Sequence, residues 1–155
     1  MVRLVVDGTA VQRASGSFGR YRVYLDGVEI HLRRTQLRML FFLAAARILR
    51  DAEGWVNTQE MVGVPHDADF DSEELRTTMI KYVYALKAAL NRPKNALIVN
   101  KPRGWYRIEI PAIEIEMNEE GMAKFDCLFI DQILPRVVEK LTVLRALRRE
   151  GVPHA

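Results

Sequence analysis

Two Asp-Gly dipeptides, Asp7-Gly8 and Asp26-Gly27, each stand between β-prone runs within the first 32 residues. Asp-Gly in that setting is the strongest short-range hairpin signal, because both residues accept the positive φ of a tight two-residue turn. The segments RLVVDGTAVQ and RVYLDGVEIH therefore predict two successive hairpins and a four-stranded antiparallel sheet, with ASGS as the loop between them. Such a platform must bury one face, and the next segment supplies the cover. From Arg34 onward Leu37, Leu40, Phe41, Ala44 and Ile48 recur at helical spacing, which predicts an amphipathic helix ending before Glu53-Gly54.

Asn57 and Glu60 have capping-box spacing and predict a short second helix that stops by Gly63 and Pro65. After the loop VPHDADF, Asp71 and Glu74 form a second capping box. It opens the longest helix of this part of the chain, about residues 72–91, with Met79, Val83, Leu86 and Leu90 as its apolar stripe. The run ALIVNKPRGWYRIEI then predicts a hairpin over about 96–110, with Pro102 and Gly104 shaping its tip. Alternation puts Tyr106, Ile108 and Ile110 on one face of its second strand, and Trp105, Arg107 and Glu109 on the other. Tyr106 reads as core packing.

Charge is sorted along the chain. Residues 92–107 hold Arg92, Lys94, Lys101, Arg103 and Arg107 and no acid. Residues 109–131 reverse this, with seven acids against Lys124 alone. The net charge of +3 permits a nucleic-acid partner without demanding one. Cys127 is a lone cysteine, which excludes an internal disulfide and fits a reducing cytoplasm. No apolar run reaches the roughly 18 residues that a membrane span requires, and no secretory signal opens the chain. The histidines, His31, His66 and His154, are scattered, so neither a metal site nor a catalytic constellation is expected, and no cofactor.

Residues 111–155 form an appendage beyond a first domain of residues 1–110. PAIEIEM alternates like a strand, EGMAKFDCLFIDQIL reads as helix, and Pro135 either kinks that helix or starts a new one. Ile130, Leu134, Val137, Leu141 and Leu144 make a 4-3-4-3 apolar seam suited to a partner helix.

Four strands, three helices and a basic hairpin, in that order, resemble the winged-helix DNA-binding domain of OmpR/PhoB-type transcriptional regulators. The resemblance runs from about residue 3 to residue 110. It is carried by YLDGVEIHLRRTQLRMLFFLA, GWVNTQEM, MIKYVYALKAAL and VNKPRGWYRI, the last similar to the family's wing. Family members commonly carry a receiver domain ahead of this unit. Here the expectation is a response-regulator effector domain without one.

The resemblance implies an α+β winged helix-turn-helix: a four-stranded antiparallel sheet, three helices and a C-terminal hairpin wing, followed by the helical appendage. It implies a cytoplasmic, non-enzymatic protein that binds double-stranded DNA and regulates transcription. The helix over 72–91 would enter the major groove with Thr77, Thr78, Lys81, Tyr82, Tyr84 and Ala85 at the DNA-facing positions. Lys101 and Arg103, at the wing tip, would reach the minor groove or the phosphates, with Arg92 and Lys94 enlarging the patch. A homodimer through residues 125–148 would present two reading helices to one site. The alternative is a winged-helix protein-interaction module without DNA readout, docking a protein partner at the acidic stretch 109–131.

Overall fold

A computed structural model of the chain describes residues 2–12, 18–50, 54–57, 72–91, 96–102, 104–125 and 128–151. The elements are β1 (Leu4–Gln12), β2 (Phe18–Leu25), β3 (Val28–Leu32), α1 (Arg34–Arg50), β4 (Val56–Asn57) and α2 (Ser72–Leu90). There follow β5 (Ile98–Lys101), β6 (Trp105–Ile108), a 3-10 turn (Ala112–Glu114), β7 (Ile115–Met117), α3 (Glu119–Ala123) and α4 (Leu128–Arg149). The mixed α+β class is as expected, and so is the presence of a four-stranded sheet. The short helix expected after Asn57, the capping residue Asp71 and the ASGS loop lie outside the described residues.

The composition of that sheet differs from expectation. Its order is β3-β2-β1-β7, and only the β3-β2 and β2-β1 pairs are antiparallel. Asp26-Gly27 makes the predicted hairpin, with φ of 51° and 79° at the two turn residues. Asp7-Gly8 does not. LVVDGTAVQ is one long strand whose register against β2 shifts between Val6 and Ala10, and Gly8 sits inside that irregularity at φ 65°. The fourth strand is β7, which pairs parallel to β1, Leu4 opposite Ile115 and Val6 opposite Met117.

The Asp7-Gly8 kink has a tertiary cause. The Asn118 side chain donates to the Asp7 carboxylate at 2.7 Å, and the Asn118 amide donates to the Val6 carbonyl at 2.9 Å. A Cβ at Gly8 would meet the Met122 sulfur at 2.6 Å, and one at Gly121 would collide with the Asp7 carbonyl oxygen. The bulge and α3 thus interlock through two glycines, a relation that local sequence does not contain.

Helix α1 occupies the centre. The Gln36 side chain accepts the Arg33 amide at 2.9 Å, satisfying a donor that precedes the first turn. Leu37 through Ala46 and Ile48 are all buried. A helix buried all round needs cover on every side, beyond the single stripe read from its spacing. The four-stranded sheet, α2, β6 and α4 provide that cover.

The cover from α4 corrects the dimer reading. Ile130, Val137 and Leu141 are fully buried, and Leu134 and Leu144 nearly so, all within the chain's own core. The five seam residues are therefore occupied within the chain and are not free to meet a second copy. Pro135 starts no new helix; it lies exposed within α4, which continues past it.

The acidic stretch is likewise engaged from inside. The Arg145 Nε lies 3.0 Å from both Glu116 carboxylate oxygens, and its two terminal nitrogens reach Glu116 and Glu119. Arg148 approaches Glu116 at 3.5 Å and donates to the Ile113 carbonyl. The hydrogen bond to Glu116 leads the causes that raise Arg145 above its ordinary value. Burial by itself would raise the Glu116 carboxyl, but the Arg145 hydrogen bond, the Met117 amide and the two guanidinium charges outweigh it and lower the carboxyl. Glu116 and Glu119 thus pair with arginines of α4, far along the sequence.

Candidate nucleic-acid interface

Helix α2 and the β5–β6 hairpin form one continuous region. Asn91, just past the end of α2, accepts the Ile98 amide at 2.9 Å and donates to the Ile98 carbonyl at 3.3 Å. Four residues earlier the Lys87 ammonium donates to the Asn100 side chain at 3.1 Å. Two polar clamps therefore fix the start of the hairpin against the last turn of α2. Lys87 as a whole is half-buried.

Of the predicted apolar stripe of α2, Val83, Leu86 and Leu90 are buried, and the Met79 side chain lies outside the described residues. Its opposite side presents Ile80, Lys81, Tyr84 and Ala88 to solvent, Tyr84 at 74% exposure. Two of the expected groove residues, Lys81 and Tyr84, stand on this open side. Ala85 is half-buried beside it. Tyr82 is half-buried and packs against the core, so its phenol is partly committed to the fold. Thr77 and Thr78 belong to α2 by backbone, but their side chains lie outside the described residues. Arg92, Lys94 and Arg103 lie outside them as well.

The hairpin runs antiparallel, Ile98 opposite Ile108 and Lys101 opposite Trp105, with Gly104 at φ 79° closing the tip. Ile108 and Ile110 are buried, and Tyr106 is half-buried against the core. Desolvation pushes the Tyr106 hydroxyl above its ordinary 10, so it stays neutral. Along the other edge of β6, β4 adds a third strand, Val56 opposite Tyr106.

That third strand brings in a residue that sequence reading passed over. Trp55, immediately before β4, has the Lys101 ammonium 4.4 Å from its ring centre and the Arg107 guanidinium at the same distance. Lys101 also lies 5.5 Å from the Trp105 ring. Lys101 therefore leans over the outer sheet face instead of extending from the tip. Trp105, outward by alternation, belongs to this cation–aromatic cluster. Arg107 is further held by Glu109, and Arg50 at the end of α1 donates to the Trp55 carbonyl at 3.0 Å. The signal in sequence was Gly54-Trp55 ahead of a two-residue strand, but nothing local says which hairpin that strand will join.

Comparison with protein-family models, with characterised proteins and with solved structures finds no match. Among the described residues no helix is long and apolar enough to cross a membrane. Among the same residues no group of three or more His, Cys, Asp or Glu side chains is placed to hold a metal ion.

Proposed function

We propose that the chain is a DNA-binding transcriptional regulator of winged-helix type. In this reading α2 enters the major groove and the β5–β6 hairpin lies on the minor groove or the phosphates. One observation carries it. The open side of α2 and the hairpin are clamped side by side, within a stretch from Arg76 to Ile108 that contains no acid. The acids Glu73 and Glu74 are confined to the first turn of α2; from Arg76 on, helix and hairpin set no carboxylate against a phosphate-lined duplex, and the helix diameter matches the major groove. Lys81 contacts a base edge or a phosphate; Lys101 and Arg103 add affinity by releasing counterions.

Mobility-shift titration of genomic fragments over a salt series tests this reading. Affinity is expected to fall steeply with salt, and Lys101→Ala with Arg103→Ala to reduce the slope of log K against log salt by about 2 at most. Absence of binding at low salt would refute it.

The second reading, a protein-interaction module, draws support from the exposed Ile80 and Tyr84 on α2. It is weakened at the acidic stretch, where Glu109, Glu116 and Glu119 are paired within the chain.

A further inference from the structure

The open side of α2 is unusual for a reading helix in being mainly apolar. Ile80 is 47% exposed and Tyr84 74%, and Ala88 is exposed four residues further on. Residues at this spacing stand one above the other on a helix. Single exposed apolar residues are ordinary, but three in line are a surface. Helix packing does not account for it, because Val83, Leu86 and Leu90 already bury the opposite side. At 1.5 Å per residue the stripe is about 12 Å long, which spans three to four base-pair steps.

Its surroundings name the occupant. Lys81 stands exposed beside the stripe, Lys87 links the helix to the hairpin, and no acid occurs from Arg76 to Ile108. The flanking charge is complementary to phosphate. Within a major groove the base-edge group that an apolar side chain can bury is the C5 methyl of thymine.

We propose that Ile80, Tyr84 and Ala88 read thymine methyl groups, so that the preferred ligand is duplex DNA with thymines at successive steps. The inference rests on the DNA-binding reading and adds the base that α2 selects. Ile80 and Tyr84 supply specificity through contact with methyls, while Lys81 and the hairpin cations supply affinity irrespective of sequence.

Uracil tests this directly, because it differs from thymine in lacking that methyl and pairs identically with adenine. The full chain is titrated by fluorescence anisotropy, at one salt concentration, with alternating adenine–thymine and adenine–uracil duplexes of equal length. The thymine duplex is expected to bind more tightly, by about fourfold for each methyl buried. Ile80→Ser combined with Tyr84→Ser is expected to abolish the difference, with the larger loss of affinity on the thymine duplex. Both side chains are exposed, so an unchanged circular-dichroism melt shows that the variant is folded. Lys101→Gln is expected to weaken both duplexes equally. Equal binding of the two duplexes by the wild type overturns the inference alone, as does a preference that survives the double substitution. Failure to bind either duplex at low salt overturns both the inference and the DNA-binding reading.

Discussion

The Lys101 ammonium stands 4.4 Å from the centre of the Trp55 ring, although Lys101 ends β5, Trp55 just precedes β4, and β6 runs between those strands. Arg107 approaches the same ring equally closely. Each such contact at an exposed site contributes roughly 0.5–1 kcal/mol. Trp55→Leu, which keeps apolar bulk but removes the π face, is expected to cost about 1–2 kcal/mol in urea denaturation. Trp55→Phe should recover part of that loss. If the leucine and phenylalanine variants melt alike, the ring face contributes nothing beyond its bulk.

Leu141 is fully buried in the seam of α4. Truncation to alanine leaves a cavity that neighbours fill only in part, at a cost of about 2–5 kcal/mol. Leu141→Ala should therefore shift the denaturation midpoint markedly at any protein concentration. A midpoint that depended on concentration would instead place Leu141 between two chains.

Glu116 couples stability to pH. Its carboxyl lies below its ordinary 4.5 in the folded chain, held there by Arg145 and Arg148 against the opposing effect of burial. A group depressed on folding contributes stability that is complete above its unfolded value and is lost as pH falls through the lower folded one. Glu116→Gln should thus reduce stability at pH 7, by roughly 1–2 kcal/mol for a pair still partly open to solvent. As pH falls from the ordinary carboxylate range through the lower folded value, the variant and the wild type should converge. Equal and pH-independent stabilities, measured from pH 3 to 7, would remove Glu116 from the acid response.

A Cβ at Gly121 would meet the Asp7 carbonyl oxygen, which is backbone and cannot swing aside. Gly121→Ala is therefore expected to cost about 1–3 kcal/mol through forced separation of α3 from β1. Gly27→Ala is a useful contrast, since nothing lies within 4 Å of its Cβ and only the φ of 79° opposes the change. That strain costs roughly 1–2 kcal/mol. Amide exchange separates the two causes: protection should fall at α3 for Gly121→Ala and at the β2–β3 turn for Gly27→Ala.

Local chemistry made much of this fold legible. The Asp26-Gly27 turn, the inward stripe Val83-Leu86-Leu90 and the alternation of β6 follow from periodicity and turn preference, and all three are present. The misreadings share one physical origin, contact at long sequence separation. Asp7-Gly8 carries the same dipeptide as Asp26-Gly27, yet Asn118, Gly121 and Met122 bend it into a bulge instead of a turn. The Ile130–Leu144 seam was recognisable as a buried surface, but spacing does not say whose surface it meets. In the candidate interface the exposure of Lys81 and Tyr84 followed from helical geometry. The position of Lys101 did not, because its partner Trp55 lies in a different segment.

The parallel pairing of β1 with β7 also governs the order in which the molecule can be completed. One edge of β1 receives its hydrogen-bond partner from residues 115–117. During synthesis the first strand therefore emerges more than a hundred residues ahead of the segment that protects it. For that interval β1 presents a bare edge, the feature through which nascent chains add to one another. Closing this pair also sets the longest loop in the sheet, so its formation belongs late in folding. The C-terminal segment thus acts as the chain's own guard against aggregation.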